Sequence, residues 1–133
     1  MRTNLYRIIP ARILIGAMML TAFSAPSFAA SWLEASEARL QMLDKITARI
    51  SSLNISLMTP ERFGTLEITV QRCAYRPPEE PPENAAYLIV RDVGHDPALA
   101  PQMVYEGWVF SSSPAISGLE HAVYDATLLT CVR

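Results

Sequence analysis

Residues 66–71 alternate strictly between apolar and polar side chains, with Leu66, Ile68 and Val70 set against Glu67, Thr69 and Gln71. A period of two places every second side chain on one face of an extended strand, so this segment, carried on to Cys73 and Tyr75, can bury that face only within a sheet. Ile46, Ala48 and Ile50 alternate in the same way with Thr47, Arg49 and Ser51, and Leu53, Ile55 and Leu57 resume the pattern after a break in phase at Ser52. Three further runs, 85–91, 103–111 and 123–132, are rich in β-branched or aromatic residues and bounded by Pro, Gly, Asn or Asp. Five or six short strands in a chain of 133 residues predict a mainly β fold, either a small antiparallel β-sandwich or a partly closed barrel.

Two segments before these strands follow other rules. Arg2, Arg7 and Arg12 precede the uncharged stretch 13–23, and Ser27 and Ala29 stand at the −3 and −1 places of a small-residue cleavage site. This is the pattern of a signal peptide over residues 1–29, cleaved after Ala29. An uncleaved anchor is the competing reading, but a helix crossing about 30 Å of hydrocarbon needs roughly 20 apolar residues, and Ser24, Pro26 and Ser27 interrupt the run too early. Ser31 and Glu34 have the spacing of a capping box, and Leu33, Leu40 and Leu43 share one helical face. Residues 32–43 are therefore expected as one short helix within a lead-in segment 30–44, followed by a β domain over 45–133.

The exported location decides how Cys73 and Cys131 are read. Disulfides persist outside the cytosol, and a redox-active pair would ordinarily stand two residues apart beside a helix N-terminus. A structural Cys73–Cys131 bond is the expectation. Between two strands lies Arg76-Pro77-Pro78-Glu79-Glu80-Pro81-Pro82-Glu83-Asn84, whose four prolines cannot donate ladder hydrogen bonds and favour an extended, stiff, acidic loop. Ser113-Pro114 reads as an N-cap with proline at the first helical position, and Gly118 could close a single turn there.

Chemical constellations are sparse. Ser111, Ser112, Ser113, His121 and Asp125 contain the residue types of a nucleophilic triad, but there is no G-x-S-x-G elbow, and a hydrolase using Ser113 and His121 stands only as an alternative. Glu79, Glu80 and Glu83 could recruit calcium together with Asp92 and Asp96 after the next strand, yet the prolines stop the loop wrapping an ion. Glu120 and His121 make no more than a metal half-site, because His95 is the sole other histidine. Among the aromatic residues Tyr87, Tyr105, Trp108, Phe110 and Tyr124, the pair Trp108 and Phe110 share a strand face and Tyr105 points to the other. Core packing is the default for this set. Should part of it be exposed beside Arg76, Pro77, Pro78, Glu79, Glu80, Pro81 and Pro82, it forms an interface for a partner or, alternatively, a carbohydrate- or peptide-binding face.

Charge narrows the partners. Without residues 1–29 the chain keeps 8 basic against 13 acidic residues, a net charge of −5, and Lys45 is its sole lysine. That argues against nucleic acid, which needs clustered Lys and Arg. Two cysteines and two histidines are a thin supply for a structural zinc site, and no cofactor is expected.

Several longer segments carry a resemblance: Leu43-Asp44-Lys45-Ile46-Thr47-Ala48, Arg62-Phe63-Gly64-Thr65-Leu66-Glu67-Ile68, Cys73 with the proline-rich loop that follows it, Gly107-Trp108-Val109-Phe110-Ser111-Ser112-Ser113-Pro114, and Leu119-Glu120-His121-Ala122-Val123-Tyr124-Asp125 through Cys131. Together they resemble domain-of-unknown-function family 2155, small exported proteins found chiefly in alphaproteobacteria. The present chain departs from that pattern at Ala122, where a proline commonly follows the histidine. The resemblance implies no enzyme activity, cofactor or catalytic residue. It implies an accessory role at the cell envelope, with respiratory NADH:quinone oxidoreductase as an associated complex. The expectation is thus a non-enzymatic periplasmic β domain that binds another envelope protein or an inner-membrane complex and keeps no membrane anchor after cleavage. N-terminal sequencing of the exported protein is expected to read Ala30-Ser31-Trp32; a membrane-bound chain beginning at Met1 would establish the anchor instead.

Overall fold

The computed structural model describes residues 29, 31–114, 119 and 121–133. The residues before Ala29, where a signal peptide is expected, and the expected turn ending at Gly118 lie outside the described residues. Eight strands follow one another: β1 (Leu33–Glu34), β2 (Glu37–Asp44), β3 (Arg49–Ser56), β4 (Glu61–Phe63), β5 (Leu66–Tyr75), β6 (Asn84–Asp92), β7 (Gln102–Phe110) and β8 (Tyr124–Val132). They form two antiparallel sheets, one ordered β1-β5-β6-β7 with β4 also on β5, the other ordered β3-β2-β8. The partly closed barrel is thereby set aside in favour of a sandwich.

The expected helix over 32–43 is a correction. Those residues form β1 and β2, and β2 is the central strand of its sheet, paired with β3 on one side and β8 on the other. Leu33, Leu40 and Leu43 do fall at helical spacing, but Ala38, Leu40 and Met42 also alternate, and all three are fully buried. Two neighbouring ladders supply backbone partners that outweigh the modest helix preference of this segment. The apparent capping box is used otherwise: the Ser31 hydroxyl donates to Glu80 at 2.7 Å, and Glu34 pairs with Arg72. The strand expected to start at Ile46 is also corrected. Residues 45–48 turn, because Asp44 Oδ1 accepts the N–H groups of Ile46 at 2.9 Å and Thr47 at 3.1 Å. Ile46 is consequently 76% exposed. The segment 30–44 thus contributes strands to the sandwich instead of leading into it.

Leu66, Ile68, Val70, Cys73, Leu88 and Val90 of the first sheet meet Ala38, Leu40, Met42, Ile55, Leu128 and Cys131 of the second in one core. Burial of each large aliphatic side chain stabilises by about 1.5–3 kcal/mol. The two cysteines reach that core through breaks in the alternation. On β5 the inward series Leu66, Ile68, Val70 would continue to Arg72, but the register shifts between Val70 and Arg72 and turns Cys73 inward. On β8 the series Ala126, Leu128 would continue to Thr130, but the register shifts opposite Arg39 and Leu40 and turns Cys131 inward. A one-residue bulge flips every later side chain to the other face. Both flips are needed for the bond that forms, Cys73–Cys131, with Cα atoms 5.6 Å apart.

A second tie between the sheets lies at the opposite end. Gly64, in the β4–β5 turn with φ +59°, leaves the space occupied by the Tyr124 ring, since a Cβ there would stand 2.2 Å from the phenolic oxygen. Phe63 meets the same ring edge-on at 5.4 Å. For a cross-link spanning 58 residues the chain-entropy account gives about 4 kcal/mol of stabilisation. Reduction is expected to lower the unfolding free energy by about 2–4 kcal/mol, measured as the urea midpoint with and without reductant. An unchanged midpoint would contradict the role assigned to the bond.

Candidate functional site

The outward face of the first sheet is built by the same bulge that buries Cys73. Past Val70, Arg72 and Ala74 face outward, and they lie beside Ala85 on β6 and Trp108 and Phe110 on β7. Trp32 and Glu34, at β1, close the other side. These seven residues line an open, mostly apolar groove of about 350 Å³. Its floor is flat because Ala74 and Ala85 are cross-strand partners with methyl side chains. Its walls are aromatic: Trp32 is 38% and Trp108 42% exposed. Tyr87 supports Trp108 edge-on, with ring centroids 5.4 Å apart, and donates its hydroxyl to Glu106 at 3.2 Å. The Arg72–Glu34 ion pair is the charged feature of the groove.

The proline-rich loop is folded back onto one end of this groove, not extended from the hairpin. Glu80 N–H donates to the Pro77 carbonyl at 3.0 Å, closing a turn over Pro78 and Glu79, and Arg76 N–H donates to the Glu83 carbonyl at 3.0 Å. The Glu80 carboxylate accepts from the Ser31 hydroxyl and N–H and stands 3.4 Å from Arg76. The Arg76 guanidinium lies 5.2 Å from the centre of the Trp32 ring, a cation–π contact. Pro78, Glu79, Pro81 and Pro82 remain exposed. The structure therefore brings Arg76, the loop, Trp108 and Phe110 to one region. It also adds Trp32, Glu34, Arg72, Ala74 and Ala85, which sequence reasoning left out. The signal for Trp32 was obscured by the helical reading of its segment, and that for Arg72 and Ala74 by the bulge.

The residue types of a triad are kept apart. Ser111 bonds to the Asn84 end of β6 and His121 to the Asp92 end, about 26 Å apart at 3.3 Å per residue. Each has a local structural role. Glu83 accepts from the hydroxyls of Ser111 and Ser112 and from the N–H groups of Ser112 and Asn84. Asn84 in turn accepts the Cys131 N–H at 3.0 Å, so this network holds β6, β7 and β8 together beside the disulfide. His121 Nδ1 accepts the N–H groups of Val123 and Tyr124, both at 3.2 Å, leaving the proton on Nε2 to face Asp92 at 3.4 Å. Its ring stacks on Tyr124 at 5.5 Å. Asp125 pairs with Lys45 at 2.7 Å. Among the described residues no three His, Cys, Asp or Glu side chains are placed to share a metal ion, and no helix is long and apolar enough to cross a membrane.

Burial alone would raise the Glu83 carboxyl pKa, but the hydrogen bonds from Ser112, Ser111 and Asn84 overcome it and hold the group below its ordinary 4.5. Asp92 is likewise lowered, first by the Gly94 N–H, against a raising effect of burial and with help from His121. A depressed folded-state pKa contributes stability above the unfolded value that is lost as pH falls through the folded one. The urea midpoint is therefore expected to fall on acidification from about pH 5 to about pH 3, and Glu83→Gln to reduce that fall. An identical acid slope in the variant would remove Glu83 from the account.

An uncharacterized protein of Rickettsia prowazekii (strain Madrid E) is 26% identical over 89 residues, 67% of this chain, and the chain spans 56% of that relative's length. No solved structure matches the chain. Residues 38–131, nearly the whole sandwich, match the family model described as "Uncharacterized protein conserved in bacteria (DUF2155)", and the chain belongs to this family.

Proposed function

We propose that the protein is an exported, non-enzymatic accessory domain of the cell envelope that docks a partner protein on the aromatic groove of its larger sheet. The observation that carries this reading is the groove itself: Trp32, just before β1, and Trp108 and Phe110 of β7 are gathered around an alanine floor, on the face turned away from the core. Placing two partly exposed tryptophans and a phenylalanine around one apolar concavity gives the kind of anchor pocket that dominates protein interfaces. The folded loop supplies a rigid rim, since its turn and its contacts to Ser31 and Trp32 fix it before any partner arrives.

The periplasm is the proposed compartment, supported by the signal-peptide pattern and by a disulfide, which persists best where thiols are oxidised. The separation of Ser111–Ser113 from His121 supports a binding role over hydrolysis. An inner-membrane complex, with respiratory NADH:quinone oxidoreductase first to be tested, is the proposed partner. A photo-crosslinking residue placed at Phe110 in intact cells is expected to capture one stoichiometric envelope protein. Trp108→Ala is expected to weaken that capture by about tenfold or more, as for a buried aromatic anchor. Equal capture by the variant would remove the groove from the interface, and elution of the protein alone after cross-linking would remove the docking role altogether.

A further inference from the structure

With cleavage after Ala29, the mature chain begins at a charged group. Hydrolysis of the peptide bond between residues 29 and 30 by an envelope peptidase consumes one water and leaves a carboxylate on the departing leader and an ammonium on residue 30. Before cleavage the same nitrogen is a neutral amide. Processing therefore places a positive charge immediately before Ser31 and two residues before Trp32, a wall of the groove.

Ser31 is already held by one carboxylate. Its N–H and its hydroxyl both donate to Glu80 Oε1, at 3.2 and 2.7 Å. These bonds, the hydroxyl's foremost, keep the Glu80 carboxyl below its ordinary 4.5, so the group is ionised at neutral pH. Glu80 Oε2 stands 3.4 Å from Arg76, and the Arg76 guanidinium lies 5.2 Å from the centre of the Trp32 ring. Standard bond lengths keep successive backbone nitrogens within about 3.7 Å of one another, so the nitrogen of residue 30 lies within about 7 Å of Glu80 Oε1 whatever that residue's conformation. Attraction between unit charges at that range persists in water and is screened by salt.

We infer that Glu80 binds the α-ammonium group freed at residue 30, so that export processing fastens the Trp32 wall of the groove. The inference rests on the proposed export, with cleavage after Ala29, and deepens the docking reading by adding its regulation. Glu80 receives charge from two sides, Arg76 on Oε2 and the start of the mature chain on Oε1, and both donors adjoin Trp32. In the precursor the amide at residue 30 brings no charge. The pair is weak by itself because it meets water, which suits a contact that orders the first residues without adding to the stability of the sandwich.

The test uses processed protein purified with its disulfide intact. Lys45 is the sole lysine, so the α-amino group and Lys45 are the two primary amines, and an amine-reactive ester attacks each only in its uncharged form. Labelling at neutral pH, read by mass spectrometry of the two peptides, is expected to be about threefold faster at the α-amino group in Glu80→Gln than in wild type, the size expected of a unit charge about 7 Å away in water. The excess is expected to vanish at about 1 M salt, with Lys45 unchanged throughout. Glutamine keeps an acceptor for Ser31, so the rim stays folded, and Glu79→Gln, the same change at the exposed neighbouring carboxylate, is expected to label at the wild-type rate. In the Trp108→Phe protein, where Trp32 is the remaining tryptophan, acrylamide is expected to quench Trp32 more readily once the α-amino group is acetylated. Equal labelling of wild type and Glu80→Gln would overturn the inference, as would an equal effect of Glu79→Gln or quenching indifferent to acetylation. A first residue other than Ala30 would overturn it through its premise, while the docking role stands or falls separately on capture at Phe110.

Discussion

The bond between Cys73 and Cys131 is the constraint around which the two sheets are arranged, and the bond depends on two irregularities. Had β5 and β8 kept their alternation unbroken, both cysteines would point to the outer faces of different sheets, beyond reach of one another. The bulge before each cysteine turns it inward. The same irregularity on β5 turns Arg72 and Ala74 outward, so one local departure from strand geometry positions both the cross-link and the floor of the groove. In a domain whose two sheets share a core of mostly medium-sized aliphatic side chains, such a tie restricts the unfolded chain and keeps the final strand from fraying.

Polar networks reinforce that arrangement at both ends of β6. At one end Glu83, Asn84, Ser111 and Ser112 connect three strands beside the disulfide. At the other, Asp92, His121, Tyr124 and Gly64 fix the entry to β8. The side chains that looked most like chemistry in the sequence are thus engaged in holding strand ends, which explains why serine and histidine occur close in sequence without meeting in space. Among the described residues, the apolar surface gathered in one place is the aromatic groove outside the larger sheet.

Period-two alternation made most of the fold legible. β5, β6, β7 and β8 fall where Leu66, Leu88, Val109 and Leu128 and their neighbours place them, and the disulfide joins the two cysteines of the chain as expected. The segment 32–43 reads as a helix because Glu37, Ala38, Arg39, Leu40, Gln41 and Met42 are all good helix formers, and leucines at positions 33, 40 and 43 fit a helix as well as Ala38, Leu40 and Met42 fit a strand. Local sequence could not report that β2 has a ladder on each side. The turn at 45–48 had a readable signal in Asp44, whose carboxylate caps two N–H groups, but Ile46 at the tip imitates a buried position. Half of the groove was visible as Trp108 and Phe110 on one face. The other half, Trp32, Arg72 and Ala74, depends on a bulge and on a strand that closes over it from far away in sequence, and neither leaves a pattern that a single chain displays.

The most direct test of the central claim is a mass measurement on protein isolated from cells, trapped with a thiol-alkylating reagent before any reductant is added and then digested without reduction. The account predicts an intact mass two hydrogens short of the fully reduced chain, no alkylated cysteine, and a single linked peptide joining the Cys73 and Cys131 segments. Alkyl groups on both cysteines, with the sandwich still cooperatively folded, would contradict it.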